Sequence, residues 1–113
     1  MLFGIPQGSL DVLVLKALAD GTNHGYGVAR WIRETSDDAL VIEDGALYTA
    51  LHRLEKTELL RAEWGPSDAN RRAKHYTVTA KGRRVLREQT EIWRRTAEAL
   101  FKVLDSRPRR ASS

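Results

Sequence analysis

Near the C-terminal end, Leu86, Trp93 and Leu100 recur every seven residues, with Ala97 and Leu104 between them. Thr79 is the candidate cap of this segment, and the periodic run continues to about Asp105. At 1.5 Å per residue such a helix extends roughly 40 Å. A chain of 113 residues builds one modest core, and that core is too small to cover a stripe of this length. Something else must bury it. A seven-residue recurrence suits packing against a helix of a second chain, with Ile92, Phe101 and Val103 beside the stripe. Intramolecular packing on the first helix accounts for part of it. The expected dimer interface on this helix is therefore Leu86, Trp93, Ala97, Leu100 and Leu104.

Upstream the chain breaks into short pieces. Ser9 to Asp20 carries a helical stripe at Leu10, Leu13, Val14, Ala17 and Leu18, with Val12 and Leu15 on another side, so this helix is expected to be buried on more than one face. Asp20-Gly21 is a stop, and Asn23 is the candidate cap of a second helix with Tyr26, Val28, Ala29 and Ile32 at spaced positions, ending near Thr35. Leu40-Val41-Ile42 reads as a brief strand. Asp44 is expected to cap a third helix, GALYTALHRLEKT, with Leu47, Ala50, Leu51 and Leu54 on one face. Two strand-like segments follow, Leu60 to Trp64 and His75 to Thr79, around a cluster of turn formers from Gly65 to Asn70. The order is helix, helix, helix, hairpin, long helix.

Three short helices and a hairpin match the winged variety of helix-turn-helix, in which the third helix enters the major groove and the hairpin touches the flanking backbone. The fold class is thus mainly α, in the α+β sense. It divides into a winged helix-turn-helix domain over 1–79, a dimerisation helix over 80–105 and a frayed basic tail over 106–113. Opposite the apolar face of the third helix lie Gly45, Thr49, His52, Arg53 and Lys56, with Tyr48 on the flank. Arg and Lys donate to guanine edges or phosphates, hydroxyls donate to phosphates, and Gly permits close backbone approach. Arg71, Arg72 and Lys74 add cations beside the hairpin tip, where they can follow a phosphate backbone. The other reading is that they keep an exposed strand edge from pairing.

The charge distribution agrees with a polyanionic partner. Net charge is +4, yet residues 1–44 hold three Lys/Arg against seven Asp/Glu, whereas residues 45–113 hold sixteen against eight. A solvated basic face remains the plainer explanation of charge taken alone.

At this point the sequence resembles the PadR family of transcriptional regulators over nearly its whole length. The resemblance rests on His24-Gly25-Tyr26-Gly27, on Gly45-Ala46-Leu47-Tyr48 continuing through Leu51-His52-Arg53-Leu54-Glu55, and on Trp64. It continues through Arg71-Arg72-Ala73-Lys74-His75-Tyr76, Thr77-Val78-Thr79 and Gly82. It implies a winged-helix homodimer, usually a repressor, whose last helix pairs with its mate and with the first helix, which adds Leu10 and Leu15 to the expected dimer interface. Tyr26 joins the expected DNA-binding set of Gly45, Tyr48, Thr49, His52, Arg53, Lys56, Arg71, Arg72 and Lys74.

Two departures stand out. Thr49 occupies a position where family members often have Pro, restoring a backbone N–H and adding a hydroxyl. Glu58 occupies a position where many have Gly. A non-Gly residue in a left-handed cap costs roughly 1 kcal/mol, so this helix is expected to close differently. In PadR-like dimers the space between helices admits flat aromatic or drug-like ligands. Trp93 resembles such a lining residue, so a small aromatic effector is a candidate partner, with plain interface packing the alternative. Trp31 and Trp64 read as structural.

Other classes fare worse. The histidines His24, His52 and His75 are far apart, with no HExxH pair and no cysteine, so neither a metal site nor an enzyme is expected and no cofactor is called for. His24 reads as a turn or cap residue and His52 as a surface or DNA-facing one. RNA binding lacks a visible aromatic platform on a strand face. A winged-helix module for protein interaction is the serious alternative, disfavoured because basic residues converge on helix and wing. Neither a leader-like start nor a membrane-spanning run is found, and the lack of cysteine fits a reducing cytoplasm.

Overall fold

The computed structural model describes residues 8–20, 24–66 and 72–108. Its elements are α1 (Leu10–Ala19), α2 (Gly25–Thr35), α3 (Asp44–Lys56), β1 (Leu60–Pro66), β2 (Arg72–Val78) and α4 (Ala80–Leu104). The protein is mainly helical, with one small antiparallel sheet and a long C-terminal helix.

Each short helix contributes its apolar stripe to one core. Val14, Leu15, Ala17 and Leu18 of α1, Val28 and Ile32 of α2, and Leu47, Ala50, Leu51 and Leu54 of α3 are buried together with Leu60, Tyr76 and Val78 of the sheet. Helix α1 packs against α2, α3, α4 and β2, which explains why it is apolar on more than one side. That central position overturns one expectation. Leu15, assigned to the dimer interface, is 1% exposed and belongs to the core of the single chain. Leu10 and Leu86 also pack on this core while staying partly accessible.

Strand pairing runs from Leu60 opposite Val78 to Pro66 opposite Arg72. Both strands reach further toward the tip than the sequence suggested, so Gly65, Pro66, Arg72 and Lys74 lie within the ladder and not in a loop. Most of the turn and Arg71 fall outside the described residues, as do Asn23 and the last residues of the tail. Trp64 is corrected too. The hairpin extends past the core, and among the described residues Trp64 is left 61% exposed.

Helix ends supply three further corrections. Glu43, not Asp44, is the N-cap of α3, and it makes no side-chain cap bond. Residues 40–42 form no strand beyond an isolated bridge at Leu40. Glu58 does enter the left-handed region, at φ 65°. The Leu59 N–H donates to Leu54 O at 2.9 Å and the Glu58 N–H to Glu55 O at 3.0 Å, so α3 closes as a glycine-capped helix would, at the cost of that strain. Thr79 caps α4 as expected, its hydroxyl accepting from the Gly82 N–H at 3.0 Å.

Candidate nucleic-acid interface

Burial of Leu47, Ala50, Leu51 and Leu54 fixes the rotation of α3. Gly45, Thr49, His52 and Lys56, which follow each other at helical spacing, are exposed on the opposite line. Arg53 is displaced one residue around the helix, onto the flank that faces α1. Its guanidinium grips Asp11: Nε donates to Oδ2 at 3.3 Å and Nη2 donates to Oδ1. This hydrogen bonding holds the Arg53 pKa above its ordinary value.

The other flank faces the hairpin. There Lys74 Nζ lies 2.8 Å from Glu55 Oε1 and 5.7 Å from the Tyr76 ring centroid. The Glu55 contact raises the Lys74 pKa above its usual range, and burial raises that of the Tyr76 phenol. Arg53 and Lys74, both expected to face DNA, are thus each occupied by a carboxylate. Arg72 stays on the exposed wing, its guanidinium 6.0 Å from the centroid of Trp64.

An aromatic corner joins α2, α3 and the wing. Gly25 is what lets it close, since a Cβ there would sit 2.9 Å from Tyr48 Cε1 and 3.1 Å from Leu51 Cδ1. Tyr26 stacks on His24 with centroids 5.1 Å apart, and His24 meets His75 at 4.2 Å. His75 Nε2 lies 3.0 Å from the Pro66 carbonyl, at the distance of an imidazole N–H donating to it. Around these rings lies a cleft of about 380 Å³ whose rim includes Tyr26, Tyr48, Trp64 and Lys74. Tyr26 and Tyr48 are both more than half exposed at this corner, and a tyrosine hydroxyl can donate to phosphate.

Helix, wing and aromatic corner together offer hydrogen-bond donors and cations. No group of metal-ligating side chains exists among the described residues. Sequence reasoning missed Asp11 and Glu55, the two carboxylates that restrain the cations. Asp11 stands 42 residues from its partner, and no local pattern marks it.

On the far side of α1, an apolar pocket of about 420 Å³ is lined by Ser9, Val12, Leu13, Lys16, Leu40, Thr90 and Trp93. Beyond it the α4 stripe is bare: Ala97, Leu100, Phe101 and Leu104 are exposed, Leu100 at 54% and Leu104 at 71%.

Three packed helices, a two-stranded wing and a polar outer face on the third helix define a winged helix-turn-helix protein. The profile of the transcriptional regulator PadR-like family matches residues 14–88, and the chain belongs to that family. A transcriptional regulator from Clostridium thermocellum is 29% identical and superposes with a TM-score of 0.77, covering 85% of this chain and 90% of that one. A PadR family regulator from Eggerthella lenta is 31% identical with a TM-score of 0.76, covering 89% and 86%. Bacillus subtilis PadR, solved in complex with operator DNA, shares the fold at 16% identity and a TM-score of 0.64. The match covers 92% of this chain and 51% of that protein. No helix among the described residues is long and apolar enough to cross a membrane.

Proposed function

We propose that this chain is a sequence-specific repressor that binds duplex DNA in the cytoplasm as a homodimer, each protomer placing α3 in a major groove. The observation that carries this is the exposed line Gly45, Thr49, His52 and Lys56 on α3, flanked by Tyr26, Tyr48 and the Arg72 wing. Thr49, His52 and Lys56 are the candidates for base edges. Tyr26, Tyr48, Arg71 and Arg72 are the candidates for phosphates. The bare stripe at Ala97, Leu100 and Leu104 supports pairing of two α4 helices, with Trp93 at its inner end. A two-fold pair sets the recognition helices about one duplex turn apart and calls for a pseudo-palindromic operator.

The pocket beside Trp93 supports a flat aromatic effector, which would act by changing the spacing of the two reading heads. The test of the DNA reading is selection of bound duplexes from a genomic pool at two salt concentrations. A pseudo-palindrome that persists at the higher salt is expected. Arg71→Glu with Arg72→Glu should weaken binding on every duplex. A winged-helix module that docks only proteins would enrich no sequence at either salt.

A further inference from the structure

We propose that Asp11 is an intrachain competitor for a DNA phosphate, holding the Arg53 guanidinium against α1 until duplex displaces it. This rests on the DNA-binding reading above. Arg53 sits one residue around α3 from the exposed His52, beside the face offered to the groove. Its side chain is 50% exposed and the Asp11 side chain 41%, so a duplex can reach the pair without opening the core. Two guanidinium nitrogens engage the two carboxylate oxygens. That fork fits a phosphate as well as a carboxylate.

The pair joins the first turn of α1 to α3, unlike the i,i+4 pair of Lys16 with Asp20 on the surface of α1. It is also exchangeable, because an ion pair this accessible to water contributes little net stability. In the free protein the contact removes one cation from the DNA-facing side. Exchange of partner costs no more than a weak ion pair and places the same fork on the duplex backbone. A structural clamp would behave in the opposite way, since weakening it would loosen α3 and reduce affinity.

The test is a salt series of fluorescence anisotropy titrations on the selected operator and on an unrelated duplex. It compares wild type, Asp11→Asn, Arg53→Ala and the double variant. Asp11→Asn should bind about two to five times more tightly at the lowest salt. Its plot of log affinity against log salt should steepen by about 0.9 per bound chain. Neither gain should survive in the Arg53→Ala background, and Asp11→Glu, which keeps the competitor, should match wild type. An unchanged or weaker Asp11→Asn protein overturns the proposal in favour of a clamp. So does an equal gain from Asp105→Asn, which makes the same charge change at the far C-terminal end of α4. Wild type that binds no duplex defeats the DNA reading itself, a result distinct from wild type that binds while Asp11→Asn fails to differ.

Discussion

The two halves of α4 have the same amphipathic pattern and different fates. The proximal half is locked down. Thr79 donates its hydroxyl to Glu58 O at 2.7 Å while accepting from Gly82, Gly82 sits flush against the backbone of Leu59, and Val85 and Leu86 pack on the core. The distal half presents Ile92, Leu100, Phe101, Val103 and Leu104, all at least half exposed. An apolar stripe states that a surface needs covering and does not state which molecule covers it. In one continuous helix, the first turns pack on their own chain and the last turns stand exposed among the described residues.

That contrast yields an ordered set of tests. The largest effect belongs to the proximal half. A Cβ at Gly82 would lie 2.2 Å from Leu59 O and 2.8 Å from Val78 Cγ1, and the backbone oxygen has no room to retreat. Gly82→Ala should destabilise the fold by about 3 kcal/mol in urea unfolding. A loss below about 1 kcal/mol would show that the joint is looser than the packing indicates.

Leu100→Asp reports on the other half. It should leave single-chain helicity intact by circular dichroism, because Leu100 touches no core. It should shift sedimentation from dimer to monomer, because a carboxylate buried unpaired at an interface costs several kcal/mol. A dimer that persists would remove the distal stripe from the interface.

Thr79→Ala deletes the α4 cap and should cost about 1 kcal/mol, read as a lower urea midpoint with an unchanged slope. A comparable loss from Thr96→Ala, in the distal half where the hydroxyl only back-bonds to Ile92 O, would erase the distinction between the halves.

The smallest effect is a pH dependence in the sheet that carries the proximal half. Tyr76 and Lys74 both have folded pKa values raised above their ordinary 10.0 and 10.5. Groups of this kind contribute stability below the unfolded value and lose it as pH rises through the folded value. Stability should therefore decline above about pH 10, and Tyr76→Phe should flatten part of that decline. An identical alkaline profile in Tyr76→Phe would exclude the phenol as a cause.

Much of this architecture was legible because it depends on local rules. Helical spacing identified Leu47, Ala50, Leu51 and Leu54 as the buried face of α3. A threonine placed just before a long periodic run identified the Thr79 cap, and turn formers located the hairpin. Errors arose where a distant part of the chain decided the outcome. Trp64 has the composition of a core residue, yet its strand outruns the core. Glu58 is the local exception: it takes the left-handed conformation usual for glycine, and the Leu59 and Glu58 N–H groups bond back to Leu54 and Glu55 there.

The candidate site divides along the same line. Spacing alone selected Gly45, Thr49, His52, Arg53 and Lys56 as the outward side of α3, because 3.6 residues per turn fixes which side chains oppose a buried stripe. Spacing could not show that Arg53 is held by Asp11 or Lys74 by Glu55. Those pairs form across 42 and 19 positions of sequence, and only packing brings their elements together. Nor could it tell that Leu15 serves the core while Leu100 remains available. The sequence determined which surfaces are apolar and which are charged. The tertiary structure decided which of them the chain itself had already used, because burial and ion pairing depend on what lies opposite, and that is a property of the assembled fold.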